Sequence, residues 1–180
     1  MATLVCEYYA EVGIREKLVA VGKAASAGSA EQALLGSTFE PATLMRLPRT
    51  NRPGGQFPAL AMFTFPHGAR LVTHEEAMAN AIPVVTSFVL TAEDKSRMYG
   101  ACIVWYEELP AAVALTFLEQ LELVPADGAS LPTLHAPEAI CLLSRMPVFE
   151  GLMECCRQLF RMRLQASRHG APAFASRGVC

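Results

Sequence analysis

Histidines and cysteines are the residues of this chain whose types could support catalysis or metal binding, because imidazoles and thiolates act as bases, nucleophiles and ligands. His67 and His74 lie seven residues apart across a predicted turn, and Glu75 and Glu76 follow the second histidine. A gap of this length across a turn is no recognised ligand spacing. We therefore predict exposed loop residues here and no metal site.

The sequence contexts of the 6 cysteines predict small buried side chains and not reactive thiols. Cys102 and Cys141 lie inside apolar stretches, where burial raises the pKa of a thiol, so neither is expected to act as a nucleophile served by His135. Cys155 and Cys156 are adjacent on a predicted helix and point about 100° apart, which disfavours binding one metal ion. The sequence predicts reduced, mostly buried thiols.

Other catalytic motifs are missing from the sequence. No serine lies in a G-x-S-x-G elbow, and "RPGGQFP" lacks the lysine and the following helix of a phosphate loop. The acid pair Glu107 and Glu108 is predicted to be solvated, as adjacent acids at strand ends usually are. We predict no catalytic residue, no metal and no cofactor, and the residues leave open whether the protein is an enzyme.

Composition and charge argue against two further classes of protein, those that bind nucleic acids and those that span membranes with helices. Lys+Arg 15 against Asp+Glu 17 gives a net charge of -2 without a basic stripe, which argues against nucleic-acid binding. The sequence contains no apolar run near the ~18 residues of a membrane helix and no recognisable signal peptide. We expect a cytoplasmic protein. Its 52% of hydrophobic residues indicates apolar surface that is covered either by a partner or by a further part of the protein.

The clearest predicted element is a hairpin in "SFVLTAEDKSRMYGACIVWYEEL", residues 87 to 109. Aromatic and β-branched residues predict two strands, and "AEDKS" supplies the turn. "TLVCEYYAEVGI" predicts a first strand, and "LPAAVALTFLEQLEL" predicts a helix with proline at its first position. "REKLVAVGKAASAGSAEQALLGS" is equally compatible with a short helix and a loop.

The regions around the hairpin are rich in proline and glycine. "FEPATLMRLPRTNRPGGQFP" predicts an irregular connector, and "ALAMFTFPHGARL" predicts a strand that stops at Pro66 and Gly68. "VTHEEAMANAIP" predicts a linker with one helical turn, and "VPADGASLPTLHAPE" predicts a loop.

A change of pattern at residue 138 predicts the opening of a βα unit. "EAICLLS" is a continuous apolar strand of the kind covered on both faces, and "VFEGLMECCRQLFRMRLQ" carries apolar residues at three- and four-residue steps. The stripe contains Phe149, Leu152, Met153, Cys156, Leu159, Phe160 and Leu164. Since no partner for this stripe is evident nearby, we expect the helix to fold onto the preceding sheet, to dimerise or to aggregate.

These motifs, in this order, resemble a known family. "LVCEYYAEVGI", "FEPATLMRLPRT", "FTFPHG" and the hairpin resemble the upstream DENN segment, a longin-like module. "HAPEAICLLSRMPVFEGLMECCRQLF" resembles the opening strand and helix of the central DENN module. The resemblance covers roughly residues 3 to 165; the turn has Lys95 where the family often has glycine.

The resemblance implies an α+β fold, with a mostly antiparallel longin-like sheet packed with helices over residues 1–125. A truncated α/β strand–helix stub of the central module is expected over 136–166, and a disordered tail over 167–180. Exchange activity would then require the rest of the DENN region.

The resemblance also implies a function. DENN proteins are guanine-nucleotide exchange factors for Rab GTPases in membrane and vesicle traffic, so the chain would supply one lobe of the GTPase-binding surface. Such proteins are cytoplasmic and are recruited peripherally to vesicle or endosomal membranes. The alternative is a non-catalytic adaptor or scaffold that binds a GTPase or another trafficking partner.

Site residues follow from the matching motifs. Ser144 and Arg145, just after a strand end, are the expected partner-binding residues. The other motif residues are expected to be structural: Phe65, Pro66, Gly68, Phe88, Leu90, Thr91, Tyr99, Gly100 and Pro147.

Overall fold

The computed structural model describes residues 5–15, 20–22, 29–53, 56–92, 94–122 and 133–168. The strands are β1 (Tyr8–Ile14), β2 (Ala20–Gly22), β3 (Thr38–Phe39), β4 (Pro41–Leu47), β5 (Val72–Thr73), β6 (Val84–Thr91), β7 (Arg97–Glu108) and β8 (Leu134–Ser144). The helices are α1 (Ala30–Leu35), α2 (Leu60–Thr64), α3 (His74–Ala79), α4 (Ala111–Gln120) and α5 (Phe149–Arg168).

Six of the strands form one sheet in which every pairing is antiparallel. The order is β4-β1-β8-β7-β6, and the short β5 pairs with the start of β8. β2 and β3 form a separate two-stranded sheet. The combination of helices with an antiparallel sheet confirms the predicted α+β class, and the predicted hairpin is present as β6 and β7.

The central strand β8 is buried along its whole length, which confirms the prediction of a strand covered on both faces. It begins at Leu134, inside the predicted loop, and it contains Pro137. The pairs of β1 with β8 end at Ala139 and those of β5 reach only His135. Pro137 therefore lies where that edge of β8 has no described ladder partner, so its missing N–H costs little.

Helix α5 covers one face of the sheet and buries the predicted apolar stripe. Leu152 and Cys156 are fully buried against the sheet, and the Phe160 ring lies 5.1 Å from the Trp105 ring. Leu164, at the end of the stripe, is 42% exposed. The helix thus folds onto the sheet, which is one of the three outcomes expected from its apolar stripe.

The other face is covered by α2, whose Leu60 is buried among β-strand residues. Beyond it, α1 and α4 enclose a second cluster in which the rings of Phe39 and Phe117 are 6.0 Å apart. Ser29 begins α1 because its hydroxyl accepts a hydrogen bond from the Gln32 N–H at 3.2 Å, as an N-cap does.

Two predictions of local structure were wrong. The predicted strand in "ALAMFTFPHGARL" is helix α2, because alanine, leucine and methionine are good helix formers and Leu60 packs onto the sheet. The predicted connector contains strand β4, which pairs with β1 despite the prolines at its two ends. Prolines are tolerated there because β4 is an edge strand.

The residues expected to start a second module lie within the same sheet as the preceding strands. β8 pairs with β1 on one side and with β7 on the other, and α5 packs on β7 and β8. Ser167 and Arg168, predicted as the beginning of a tail, end α5, and residues 169–180 lie outside the described residues.

Candidate binding surface at the end of the central strand

The central strand ends at Ser144, where the chain leaves the sheet for α5. Ser144 is 0% exposed, and its hydroxyl accepts a hydrogen bond from the Met146 N–H at 3.0 Å. This bond shapes the turn that leads to Pro147 and the helix. In this structure the Ser144 hydroxyl holds the turn, and a contact of Ser144 with a partner stays a prediction.

Arg145, the next residue, points away from the core, with a side chain that is 48% exposed. Its Nη2 donates to the Pro53 carbonyl at 3.3 Å, and its Nε lies 3.9 Å from Glu7 Oε1. Glu7 Oε2 lies 4.0 Å from Arg52 Nε. One carboxylate thus lies between two guanidinium groups, which orients Arg145 without burying it.

The hairpin turn of β6 and β7 adds charge beside Arg145. Hydrogen bonds from Ser96 lower the pKa of Asp94, and the positive charge of Arg145 lowers that pKa further. Lys95 in the same turn and Arg97 at the start of β7 are exposed. We call Glu7, Arg52, Asp94, Lys95, Arg97 and Arg145 the strand-end surface. Its four cations against two acids suit a partner that presents carboxylates.

The motif "FPHG" forms the turn after α2. The Phe65 N–H donates to the Ala61 carbonyl at 3.0 Å and the Gly68 N–H donates to the Phe65 carbonyl at 3.0 Å. Gly68 has φ +80, and a Cβ at this position would lie 2.4 Å from Thr38 Cγ2. Pro66 is exposed in this turn. The need for glycine here is therefore conformational and steric.

The motif residues of the hairpin pack the sheet. Phe88 lies opposite Gly100 in the register, and a Cβ on Gly100 would lie 2.3 Å from Phe88 Cε2. Leu90 is buried on the same face, and the Tyr99 ring meets the Phe149 ring of α5 edge-on at 5.6 Å. Thr91 is exposed at the end of β6.

A charged cluster under α5 was missed by the sequence reasoning. Arg163 Nη2 donates to Glu138 Oε2 at 2.8 Å and to Glu107 Oε2 at 2.9 Å, and its Nη1 lies 3.8 Å from Glu11 Oε1. The guanidinium also lies over the Trp105 ring at 5.3 Å. Glu107, predicted to be solvated, is therefore a partner of a half-buried arginine. The available signal was Glu138, an acid inside an apolar strand.

The thiols and imidazoles lie in separate places. The Cys102 sulfur lies 3.0 Å from Thr86 Oγ1, and the Cys141 sulfur lies 3.4 Å from Thr64 Oγ1. A hydrogen bond from Cys141, together with hydrogen bonds from Thr86, lowers the pKa of Cys102 despite its burial. His135 instead meets the His74 ring at 5.2 Å. The structure thus does not bring His135 to either thiol.

Glu76, close to His74, has a local role. Glu76 completes a capping box at the start of α3: its N–H donates to Thr73 Oγ1 at 3.2 Å, and its Oε2 accepts from the Thr73 N–H at 3.1 Å. Among the described residues, no group of three His, Cys, Asp or Glu side chains lies close enough together to hold a metal ion. No helix in the described part is long and apolar enough to cross a membrane.

One comparison with known proteins bears on this geometry. Residues 41–105 match the family model of the uDENN domain. The match runs from the start of β4 to the middle of β7 and includes the "FPHG" turn and the β6–β7 hairpin. It confirms the upstream DENN segment recognised in the sequence. No solved structure matches the chain.

Proposed function

We propose that the chain is part of a DENN-family guanine-nucleotide exchange factor for a Rab GTPase in membrane traffic, because residues 41–105 match the family model of the uDENN domain. The uDENN match is the observation that carries the proposal, since DENN proteins are generally linked to this activity. In the proposal, the longin-like sheet supplies one lobe of the GTPase-binding surface. The protein works in the cytoplasm and is recruited peripherally to vesicle or endosomal membranes.

Exchange of this kind requires binding energy and no acid–base chemistry. A protein that binds the nucleotide-free GTPase more tightly than the loaded form shifts the population towards nucleotide release. Each tenfold difference between those two affinities corresponds to about 1.4 kcal/mol. A surface of oriented arginines is suited to this task because guanidinium groups bind carboxylates in a fixed geometry.

Arg145 is the residue we propose to contact the GTPase. Its guanidinium is held by Pro53 and Glu7 and is 48% exposed, so it is both oriented and accessible. Because β8 and α5 complete the sheet that contains the uDENN strands, we propose that the upstream segment and the start of the central one act as one binding body.

The test is to measure binding of the chain to the GDP-loaded and nucleotide-free forms of a panel of Rab GTPases, because faster GDP release would require the rest of the DENN region. We expect at least tenfold tighter binding to the nucleotide-free form of one Rab. Arg145→Glu is expected to weaken that binding at least tenfold. Arg70→Glu is the matched control, because Arg70 is exposed beside Thr38 at the opposite end of the sheet.

The adaptor alternative gives a different result in the same experiment. An adaptor binds a Rab with the same affinity in its GDP-loaded and nucleotide-free forms. Absence of binding to every Rab in either state contradicts the exchange-factor proposal and the GTPase-binding form of the adaptor together.

A further inference from the structure

The outer edge of β6 has free backbone hydrogen-bonding groups. The Ala92 N–H donates to the Ser96 carbonyl at 2.9 Å, which places even-numbered residues of β6 in the hydrogen-bonded positions towards β7. The odd-numbered residues Val85, Ser87, Val89 and Thr91 therefore direct N–H and C=O groups away from β7. No strand in the described part of the chain pairs with that edge.

This edge lacks the usual protection against strand pairing. The eight residues of β6 contain no charge and no proline, and they pair with β7 without a register shift. The opposite edge strand, β4, begins at Pro41, carries Arg46, precedes Pro48 and has a shifted register against β1. Proteins block the edge of a sheet with charges, prolines and bulges. The β4 edge of this sheet is therefore protected against strand pairing, and the β6 edge is not.

A groove runs beside the open edge, between β6 and α5. Its volume is about 280 Å³, and its apolar lining includes Ile82, Val85 and Phe160. Ile82 is 85% exposed. Arg157 and Arg161 line the same groove. A strand added to β6 would place alternate side chains over this groove, because successive side chains of a strand point to opposite faces.

The charge of the groove is positive. Among the described residues, Glu154 is the carboxylate within ion-pair distance of both arginines, at 3.3 Å from Arg157 and 4.0 Å from Arg161. The two arginine side chains remain 44% and 63% exposed. β6 itself contributes no charge. An incoming segment that carries acidic side chains would therefore gain two exposed guanidinium partners.

We propose that the outer edge of β6 binds an extended segment of a partner protein as an additional antiparallel strand, with apolar side chains in the groove and acidic side chains facing Arg157 and Arg161. The edge hydrogen bonds supply affinity and the groove supplies specificity, as in other cases of strand addition. This site goes beyond the proposed GTPase contact, because it uses different residues and requires no nucleotide.

A second copy of this chain fits the edge less well. Two antiparallel β6 strands related by a two-fold axis perpendicular to the sheet would place both α5 helices on the same face. Arg157 and Arg161 of each copy would then approach those of the other, and like charges in juxtaposition oppose association. The acidic segment has no such conflict.

The first experiment uses a fluorescein-labelled eight-residue peptide in which the residues that face the groove alternate between valine and glutamate and the residues between them are serine. The peptide is titrated with the full chain and followed by anisotropy. We expect saturable binding. The same peptide with lysine in place of each glutamate, the valine–lysine peptide, should bind at least tenfold more weakly. The valine–glutamate peptide with N-methyl groups on its valine and glutamate residues should not bind, because these residues lie opposite the outward residues of β6 and would have to donate to the edge. Equal affinity for the three peptides overturns the proposal.

The second experiment uses variants of the protein. Ser87→Pro removes an outward N–H but leaves the β7 bonds, and Ser87→Ala is its matched control. We expect at least a tenfold loss of peptide affinity for the proline variant and none for the alanine variant. Equal affinity of the two variants overturns the proposal. The double reversal Arg157→Glu and Arg161→Glu, on the exposed side of α5, is expected to favour the valine–lysine peptide.

Two further outcomes are decisive. If Ser87→Pro does not fold, the proposal is tested by the Arg157→Glu and Arg161→Glu variant alone. An unchanged preference of that variant for the valine–glutamate peptide overturns the proposal. Sedimentation of the unmodified chain tests whether a second copy of the chain binds the β6 edge. A dimer that Ser87→Pro abolishes, without any peptide binding, assigns the edge to a second copy and overturns the acidic segment.

Discussion

Arg163 of α5 donates a hydrogen bond of 2.8 Å to Glu138 at the centre of the sheet. The pairing joins the helix to the middle strand, and the carboxylate is 2% exposed. A buried charge keeps its ionised form only when a partner compensates the lost solvation. Burial opposes the positive charge of Arg163, but Glu138, Glu107 and Glu11 outweigh that effect and raise its pKa. The contact therefore fixes how α5 sits on the sheet.

Arg163→Ala should destabilise the protein strongly because it leaves Glu138 buried without its cation. We expect the free energy of unfolding to fall by about 3–5 kcal/mol, measured by urea denaturation. Arg161→Ala, two residues earlier and 63% exposed, is the control and should change stability by less than about 0.5 kcal/mol. Similar decreases in the free energy of unfolding for both variants would show that the buried pair contributes no more to stability than an exposed arginine.

Gly100→Ala should strain the hairpin, since the added Cβ would lie 2.3 Å from Phe88 Cε2. Overpacking of this kind costs about 1–3 kcal/mol. In a Phe88→Ala background the same change should cost much less, because the ring is gone. The two single variants and the double variant form a thermodynamic cycle. Additive losses would mean that the cost of Gly100→Ala does not arise from contact with the Phe88 ring.

Lys95→Gly should stabilise the hairpin turn. Lys95 has φ 65, a conformation that glycine adopts without the steric cost paid by other residues. We expect the free energy of unfolding, measured by thermal denaturation, to rise by about 1 kcal/mol. Lys95→Ala keeps the Cβ and should leave stability unchanged, which separates the backbone effect from the loss of charge. A gain of the same size in both variants would assign the effect to charge.

Cys155 and Cys156 should differ in reactivity although they are neighbours. Cys155 is exposed, whereas Cys156 is fully buried and desolvation raises the pKa of its thiol to about 12. Alkylation requires the thiolate, so at pH 8 iodoacetamide should label Cys156 at least about 100-fold more slowly. Mass spectrometry of the helix peptide measures the ratio. Equal labelling would place α5 off the sheet.

His135 should make stability depend on pH. Desolvation, together with the adjacent His74, lowers the pKa of His135 in the folded protein. In the unfolded chain this histidine titrates near about 6.5, so the unfolded state binds the proton more readily. Stability is therefore full above that pH and decreases as pH falls through it. Denaturation at pH 7.5 and 5.5 should show a smaller difference in His135→Gln, whose side chain does not titrate.

Much of the fold could be predicted from the sequence because its signals are local. The alternation of aromatic and β-branched residues identified β6 and β7, and the three- and four-residue spacing of apolar residues identified α5. The continuous apolar run of β8 predicted a strand covered on both faces. The "FPHG" turn and the hairpin also carried the family resemblance that the uDENN match confirms.

The rest was decided by tertiary structure, because it depends on contacts between residues far apart in the chain. Strand β4 is set by its pairing with β1, and the Leu60 helix by packing on the sheet. Ser144 is buried by the antiparallel neighbours of β8. Arg163 lies 25 residues from Glu138 and 56 from Glu107, so no local pattern could pair them. Local periodicity determines elements; only the packed sheet determines which charges and edges are left for a partner.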